Sequence, residues 1–578
     1  MPRIRIKETD KTSSSTSGLY SNYAVLITGY TAREVKDADG TVTVVGPVTP
    51  DYIEEYKTDL EENTELTSSE IEALIEELEL DEIQPDSNGA YEFNSADDFK
   101  NTIGLKGPKV TITDNGRERV EYHYGNQMAY ELLKLGYPIV YKPIKSIKDM
   151  DSDAFWEVFK DKVNYDFRFI SHGLLTSSAD KDEEEALDRA KEALAAAKEI
   201  LESIKTGQAE DADDTALKAA YTTYITENSS AKGCECFYDK DGKHLYESKS
   251  FEHIVTDIGT RYTAAEDAVK DFAALYITTS TINNINGHIA NLAFYAVDKS
   301  TGEPVSKVGR GDCIALIELD EKKYINQDSS EKATLAIAKA ISEVTDINDN
   351  NGSYCAMTVP SVIYKMTENT AFDKNKKFPG AFHYLACFIS SINSGFAEWY
   401  AAAGYTRGIA SYMVDKATVK LGEVAINTLE PRTLSANSPK FACNVITNFR
   451  GVYYLWGNRT ALQLDSEASS KELVASHFLN IRQLCTTIKK QLQVACRRFT
   501  FDPSSDTLWF NFINAIKPTL EAMKADQGIR DYKILKVADN TQKAAFKAKI
   551  RIIPIEAVED FDLEVSLEDS FSDITINE

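Results

Sequence analysis

An α/β fold spread over more than one domain is what this sequence predicts. Three observations carry that reading: a length of 578 residues, short apolar runs alternating with segments of helical period, and an ordinary globular composition. A single core stops growing well below this length. Hydrophobic residues make up 43% and charged residues 27% of the chain, values far from those of disordered or fibrous proteins.

The elements follow in order. Residues 23–30, YAVLITGY, form an apolar run ending in glycine that reads as a buried strand. A polar, acidic stretch continues to about residue 90 and includes an amphipathic helix that Ser69 can cap. In GNQMAYELLKLGYPIVYKPI, Met128, Leu132 and Leu133 recur at helical spacing, Gly136 stops the helix, and residues 139–141 form a strand. Residues 181–228 are rich in Ala, Glu and Lys with opposite charges at helical spacing, as in a surface helix inserted at the periphery. The strand reading resumes with DFAALYITTST, CIALIELD and YCAMTVPSVIY, the last two flanking the helical SSEKATLAIAKAISEV. FHYLACFISSINSG then gives a helix before a turn of small residues, and a last unit from about residue 425 holds two helices and two or three strands.

A net charge of −27 argues against a nonspecific grip on nucleic acid, which needs Lys and Arg to replace phosphate counterions. No apolar run approaches the roughly 20 residues of a membrane span, and MPRIRIKETD lacks the apolar core of a secretory signal. The eight cysteines suit a reducing compartment without disulfides, and Cys234 with Cys236 lacks a second ligand pair for zinc. The seven histidines are scattered, with no HExxH motif and no GxSxG elbow. GRGDC lacks the phosphate-loop pattern, and DINDNNGS, at 346–353, places Asn351 and Met357 where a calcium loop wants Gly and Glu, so it reads as a polar surface turn. No catalytic residue, cofactor site or metal site is expected.

The C-terminal unit is more informative. KELVASHFLNIRQLCTTIKKQLQVACRRF has an apolar stripe of Phe478, Ile481, Cys485, Ile488, Leu492 and Phe499. Its other face carries Arg482, Lys489, Gln493 and Arg497, with Lys490 and Arg498 beside them. In so acidic a chain this ridge reads either as a solvated face or as a dock for an acidic partner. In the next helix Asp506 is a natural cap, Leu508, Phe512, Ile516, Leu520 and Met523 form the buried stripe, Pro518 should kink or break it, and Gly528 is the stop.

Taken together these segments resemble the contractile tail sheath proteins of long-tailed phages, a family related to the sheaths of contractile bacteriocins and type VI secretion systems. RGVYYLWGNRTALQLDS resembles the family's strand followed by "wG.RT" and an aspartate-containing turn, HFLNIRQLCTTIKKQL its next helix, and FDPSSDTLWFNFINAIKPTLEAMKADQGIRDYKI the run after that. Upstream, Trp399, Ala402, Gly404 and Gly408 fit "w.apAG..rG", GRGDCIALIEL and YCAMTVPSVIY fit strand regions, and YEFNSADDFKNTIG resembles an early "dF...fG" motif. Only the stretch from about residue 380 is specific by itself.

The resemblance implies a structural subunit and not an enzyme. It implies hexameric rings stacked helically around an inner tail tube, and contraction that drives the tube through a host envelope. The partners implied are further copies of the chain, the tube protein, and baseplate and tail terminator proteins, without nucleic acid, membrane insertion or cofactor. The protein would be assembled in the host cytoplasm and reside in the virion. The domains expected are an arm and linker at 1–22, outer α/β domains at 23–420 with insertions at about 31–95 and 180–232, an inner tube-facing domain at 421–556 that presents the basic ridge, and an arm at 557–578. Such arms pass to neighbouring subunits and complete a sheet there. Two other readings stay open: the sheath of a non-viral injection system, and a tube, baseplate or scaffold subunit.

The residues of the two arms fit that role. Arg3, Arg5 and Lys7 alternate with Ile4 and Ile6, whereas Asp562, Glu564 and Glu568 alternate with Phe561, Leu563, Val565 and Leu567. One ribbon is basic and the other acidic, and opposite charges across a strand pair contribute roughly 0.2–1 kcal/mol each while like charges repel. The flexible stretch at 8–17 can reach on the order of 30 Å.

Overall fold

The computed structural model describes residues 24–30, 33–36, 42–45, 81–105, 110–114, 117–121, 125–144, 147–173, 279–295, 309–325, 327–344, 351–365, 377–430, 439–464, 473–503, 505–536 and 548–557, with a few single positions between them. The two ribbons at 3–7 and 561–568, the Ser69 helix, the charged stretch at 181–228, and Cys234 and Cys236 lie outside the described residues.

The strands are β1 (Ala24–Tyr30), β2 (Arg33–Lys36), β3 (Val42–Val45), β4 (Tyr91–Phe93), β5 (Val110–Asp114), β6 (Arg117–Glu121), β7 (Ile139–Ile144), β8 (Phe167–Ser171), β9 (Ile314–Ile317), β10 (Cys355–Val359), β11 (Val362–Tyr364), β12 (Lys377–Phe378), β13 (Val414–Ala417), β14 (Asn444–Phe449), β15 (Val452–Trp456), β16 (Ile529–Lys536) and β17 (Ala548–Pro554). The helices are α1 (Ala96–Thr102), α2 (Gly125–Lys134), α3 (Asp153–Glu157), α4 (Thr279–Ala293), α5 (Ser330–Ser342), α6 (Gly380–Asn393), α7 (Gly404–Arg407), α8 (Glu423–Leu429), α9 (Leu479–Arg497) and α10 (Asp506–Ala525).

An eight-stranded sheet in the order β15-β14-β10-β9-β8-β1-β7-β4 organises the α/β body. Its six central strands are parallel, and β4 and β15 close the two edges antiparallel. Such a sheet needs cover on both faces, and β1 shows how the sequence provides for it. Ala24 and Leu26 enter one core, with Ile285, Ile337 and Ile426 from α4, α5 and α8. Val25 and Ile27 enter the other, with Phe99, Leu132 and Leu385 from α1, α2 and α6. Strict alternation of uniformly apolar side chains therefore builds two cores from one strand.

Local signals set several elements, and some of these stand where the sequence predicts them. Ser95 and Ser329 cap α1 and α5 by accepting from Asp98 N and Lys332 N. Gly136 takes φ +80° just past α2, and CIALIELD and YCAMTVPSVIY supply β9, β10 and β11.

Other expectations are corrected. Strands β14 and β15, from the expected inner domain at 421–556, belong to the eight-stranded sheet, and α9 follows them. Strand β4 pairs with β7 in that sheet, so a peripheral insertion at 31–95 cannot extend through residue 91. Helix α4 starts at Thr279, inside the stretch read as the strand DFAALYITTST. Asn351 and Ser353 are buried at the end of the presumed surface turn. Ser505, not Asp506, caps α10, and the helix runs on through Pro518, whose exposed ring lies opposite the buried stripe that holds both halves down.

Burial keeps His172 and His383 neutral, lowering them to about 4 and about 3. Their unfolded values near 6.5 are higher, so the unfolded chain binds more protons as the pH falls below that point. Each should therefore remove about 2 kcal/mol of stability between pH 7 and pH 5. Chemical denaturation at the two pH values, on the native chain and on His383→Gln, should show the slope and its partial loss.

A candidate assembly surface on a helical pair and a two-stranded sheet

The segment WGNRT is a buried joint between the main sheet and α9. Gly457 takes φ +156°, and a Cβ there would stand 2.8 Å from Asn444 Cα, so the chain passes β14 only because this residue has no side chain. Asn444 donates to Met357 O and Arg459 O, both at 3.0 Å, and accepts from Arg459 N at 2.7 Å. Asn458 donates through Nδ2 to Asn480 Oδ1 at 2.8 Å and accepts from Asn480 N at 3.0 Å, while Leu479 N reaches Asn458 O at 3.0 Å. The first amides of α9, which have no partner within the helix, are thereby satisfied. Arg459 pairs with Glu430 at 3.5 Å and lies over the Phe478 ring.

Below this joint α9 is bolted to the body by charge. Buried Arg168 of β8 pairs with Glu398, and the Thr487 hydroxyl accepts from Arg168 while donating to Glu398 at 2.8 Å. Lys490 is buried against Asp166 and Asp312, the latter also paired with Arg310 at 2.9 Å. Burial pushes the Asp312 carboxyl up, but Arg310 and Lys490 outweigh it and hold the group below the usual carboxylate range. Lys489 donates to Gly311 O at 2.8 Å and to the Tyr354 hydroxyl at 3.0 Å. Arg482 donates to Ser353 O at 2.7 Å and lies over the Tyr354 ring.

The ridge expected to face a tube is thus largely turned inward. Arg482, Lys489 and Lys490 hold α9 on its own body. Gln493 is half-buried and Arg497 and Arg498 are exposed, with Arg497 donating to Lys162 O at 3.0 Å. Sequence reasoning saw the charges and missed their partners, because Asp166, Asp312 and Glu398 lie far from them along the chain.

On the far side of α9, Leu484 and Ile488 meet Leu520 and Met523 of α10, together with Trp399 and Ile529. The Trp399 indole donates to Asp526 O at 3.1 Å. A Cβ on Gly528 would come within 2.7 Å of that indole, so the glycine makes room for the ring, and Gln527 is the residue in the left-handed turn. On this layer lies the hairpin of β16 and β17, with Tyr532 opposite Ile552 and Ile534 opposite Ile550. These four side chains face the helices and stay only partly buried. Among the described residues the hairpin is a sheet of two strands, each with one unpaired edge.

The crevice at the sheet's switch point, between β1 and β8, is the usual ligand position in a doubly wound fold. Here the chain's own side chains fill it. Thr28 donates to His172 O at 2.8 Å, the His172 ring meets Asn286 at 3.2 Å, and Asn286 donates to Glu318 O at 2.8 Å. Gly173 takes φ +64°, and a Cβ there would lie 2.6 Å from Gly125 Cα. Among the described residues no group of His, Cys, Asp and Glu could hold a metal ion, and no helix is long and apolar enough to cross a membrane.

No protein-family model matches the chain, and neither does any curated protein. Solved structures similar to it include a chain of the anti-feeding prophage baseplate, 6-fold symmetrised, at 11% identity and a TM-score of 0.46, covering 98% of this chain and 99% of that one. Another is the PVC sheath complex of an extracellular contractile injection system in its contracted state, at 14% identity and a TM-score of 0.32. That likeness covers 44% of this chain and 64% of the other.

Glu398→Ala would leave Arg168 buried without its carboxylate and should cost about 3–5 kcal/mol in urea unfolding. The double variant Arg168→Met with Glu398→Leu should recover most of that loss. A double variant no more stable than the single one would show that the pair does not act as a unit.

Proposed function

We propose that the protein is the sheath subunit of a contractile phage tail, polymerising as stacked hexameric rings around an inner tube and shortening to drive that tube through the host envelope. The observation that carries the reading is the unfinished sheet of β16 and β17. A two-stranded ribbon is marginal alone and gains stability when further strands extend its apolar face. Here that face is laid on α9 and α10 but only partly covered. The sequence contains two alternating ribbons able to add to such an edge, at 3–7 and 561–568. The WGNRT and Trp399 segments, on which the family resemblance rests, are the residues that fix this helical layer to the body.

Strand addition between copies would let bodies change packing while remaining tethered, which contraction requires. Several such joints per subunit would raise avidity well above that of one strand. Exposed Arg497 and Arg498 at the end of α9, with half-buried Gln493 before them, are the part of the basic ridge left to meet an acidic tube surface. Baseplate and terminator proteins would bound the polymer in the virion.

Electron microscopy of the purified full-length protein should show hollow, striated cylinders. Narrow tubes or flat rings would instead assign it to a tube or baseplate, and dispersed particles at high concentration would end the proposal. Removing residues 1–10 should leave the unfolding transition in place and abolish polymers.

A further inference from the structure

The tip of the β14–β15 hairpin holds an arginine where another residue would fold more easily. Phe449 and Val452 close a two-residue turn, and its central residues, Arg450 and Gly451, take φ +54° and +90°. This is the mirror-image turn of a tight hairpin, which Asn-Gly forms with least strain because asparagine tolerates the left-handed region and longer side chains do so poorly. Asn448 supports the turn by accepting from Gly451 N at 2.9 Å. Arg450 itself is exposed, and its guanidinium forms no ion pair with a described residue. Among the described residues nothing offsets the strain.

Aromatic rings stand directly behind this arginine. The register sets Phe449, Tyr454 and Trp456 on one face of the hairpin. Tyr405 of α7 lies edge-on to Tyr454 and Trp456, with ring centroids 5.1 Å away in both pairs, and remains 60% exposed. Trp, Tyr and Arg are the residues that dominate binding energy where proteins meet. A strained arginine in front of such rings has the composition of a contact surface.

A concave counterpart lies over the other half of the same sheet. Between α3 and α4 runs a cleft of about 420 Å³, walled by Asp153 and Glu157, one helical turn apart, and by His288 and Asn291. The His288 ring stands 2.8 Å from Asp153 and 3.6 Å from Asp151. Lys160 pairs with Glu157 at 2.7 Å, an exposed and therefore weak contact. Carboxylates thus outnumber the lysine here, and Asp153 is 74% exposed.

The tip cannot reach the cleft of its own molecule. Strand β15 is the edge of the sheet, whereas α3 joins β7 to β8, with β14, β10 and β9 standing between. At about 4.8 Å per strand the separation is on the order of 20 Å, beyond any side chain. We infer that Arg450 of one copy enters the α3–α4 cleft of a second copy and pairs there with Asp153 and Glu157, while the Tyr405 ring is buried against the rim. A planar guanidinium suits two carboxylates placed side by side. Because the two patches differ, the contact runs head to tail, and it closes into a ring or continues as a helix according to the rotation between copies. This rests on the sheath reading above and adds a joint between the folded bodies that does not depend on shared strands.

The test uses full-length protein and reads, by light scattering, the concentration at which half of it is assembled. Arg450→Asn should stabilise the chain in urea, by relieving the turn, and yet raise that concentration about tenfold or more. Arg450→Glu should raise it at least as far, and so should Asp153→Lys/Glu157→Lys. Equal amounts of Arg450→Glu copies and Asp153→Lys/Glu157→Lys copies should assemble together, since each tip then meets a neighbour's cleft of opposite charge. Native assembly by Arg450→Asn, or a mixture no better than its components, would each overturn the inference. Striated cylinders that form regardless of these charges would sink the joint and leave the sheath reading standing. Charge-paired assembly into particles that are not cylinders would do the reverse.

Discussion

Charge buried beneath α9 is the constraint on which the rest of the architecture depends. Arg168 pairs with Glu398, and Lys490 of α9 with Asp312, which also holds Arg310, so two groups of buried charge lie against α9. Ions removed from water are expensive unless every partner is present. The arrangement accordingly permits few relative positions of the helical layer and the sheet. Apolar packing alone would tolerate sliding, whereas a lysine enclosed between two carboxylates does not.

The position of this layer determines what is left exposed. With the first half of α9 enclosed and α10 laid on its far side, the hairpin receives a floor on one face and, among the described residues, no strand beside it. The unfinished ribbon therefore follows from where the helices are anchored, rather than from a weakness in the strands themselves. Filling of the switch-point crevice by Thr28, His172 and Asn286 has the complementary effect inside the body. The place where a related architecture would admit a ligand here joins neighbouring elements together.

Much of the fold was legible because it rests on local rules. The apolar runs that form β1, β9 and β10, and Gly136 after α2, each act within a few residues, so they appear in the sequence at the place where they act. The place of β14 in the sheet was not legible because strand order in a parallel sheet is a long-range property: β14 pairs with β10 across more than eighty intervening residues. The basic ridge was misread for the same reason, since periodicity finds a charged face without saying what lies against it. Gly528 was recognised as a helix stop, but its spatial role is set by Trp399, which is remote in sequence.

Trp399 has a practical consequence. Its indole is wedged between the body and the turn that leads into the hairpin, donating to Asp526 O while Gly528 makes room for the ring. Any shift of the outer layer relative to the sheet must change the polarity around that one fluorophore. With only four tryptophans in the chain, its emission offers an intrinsic gauge of strain between the two halves of the molecule, readable without attaching a label.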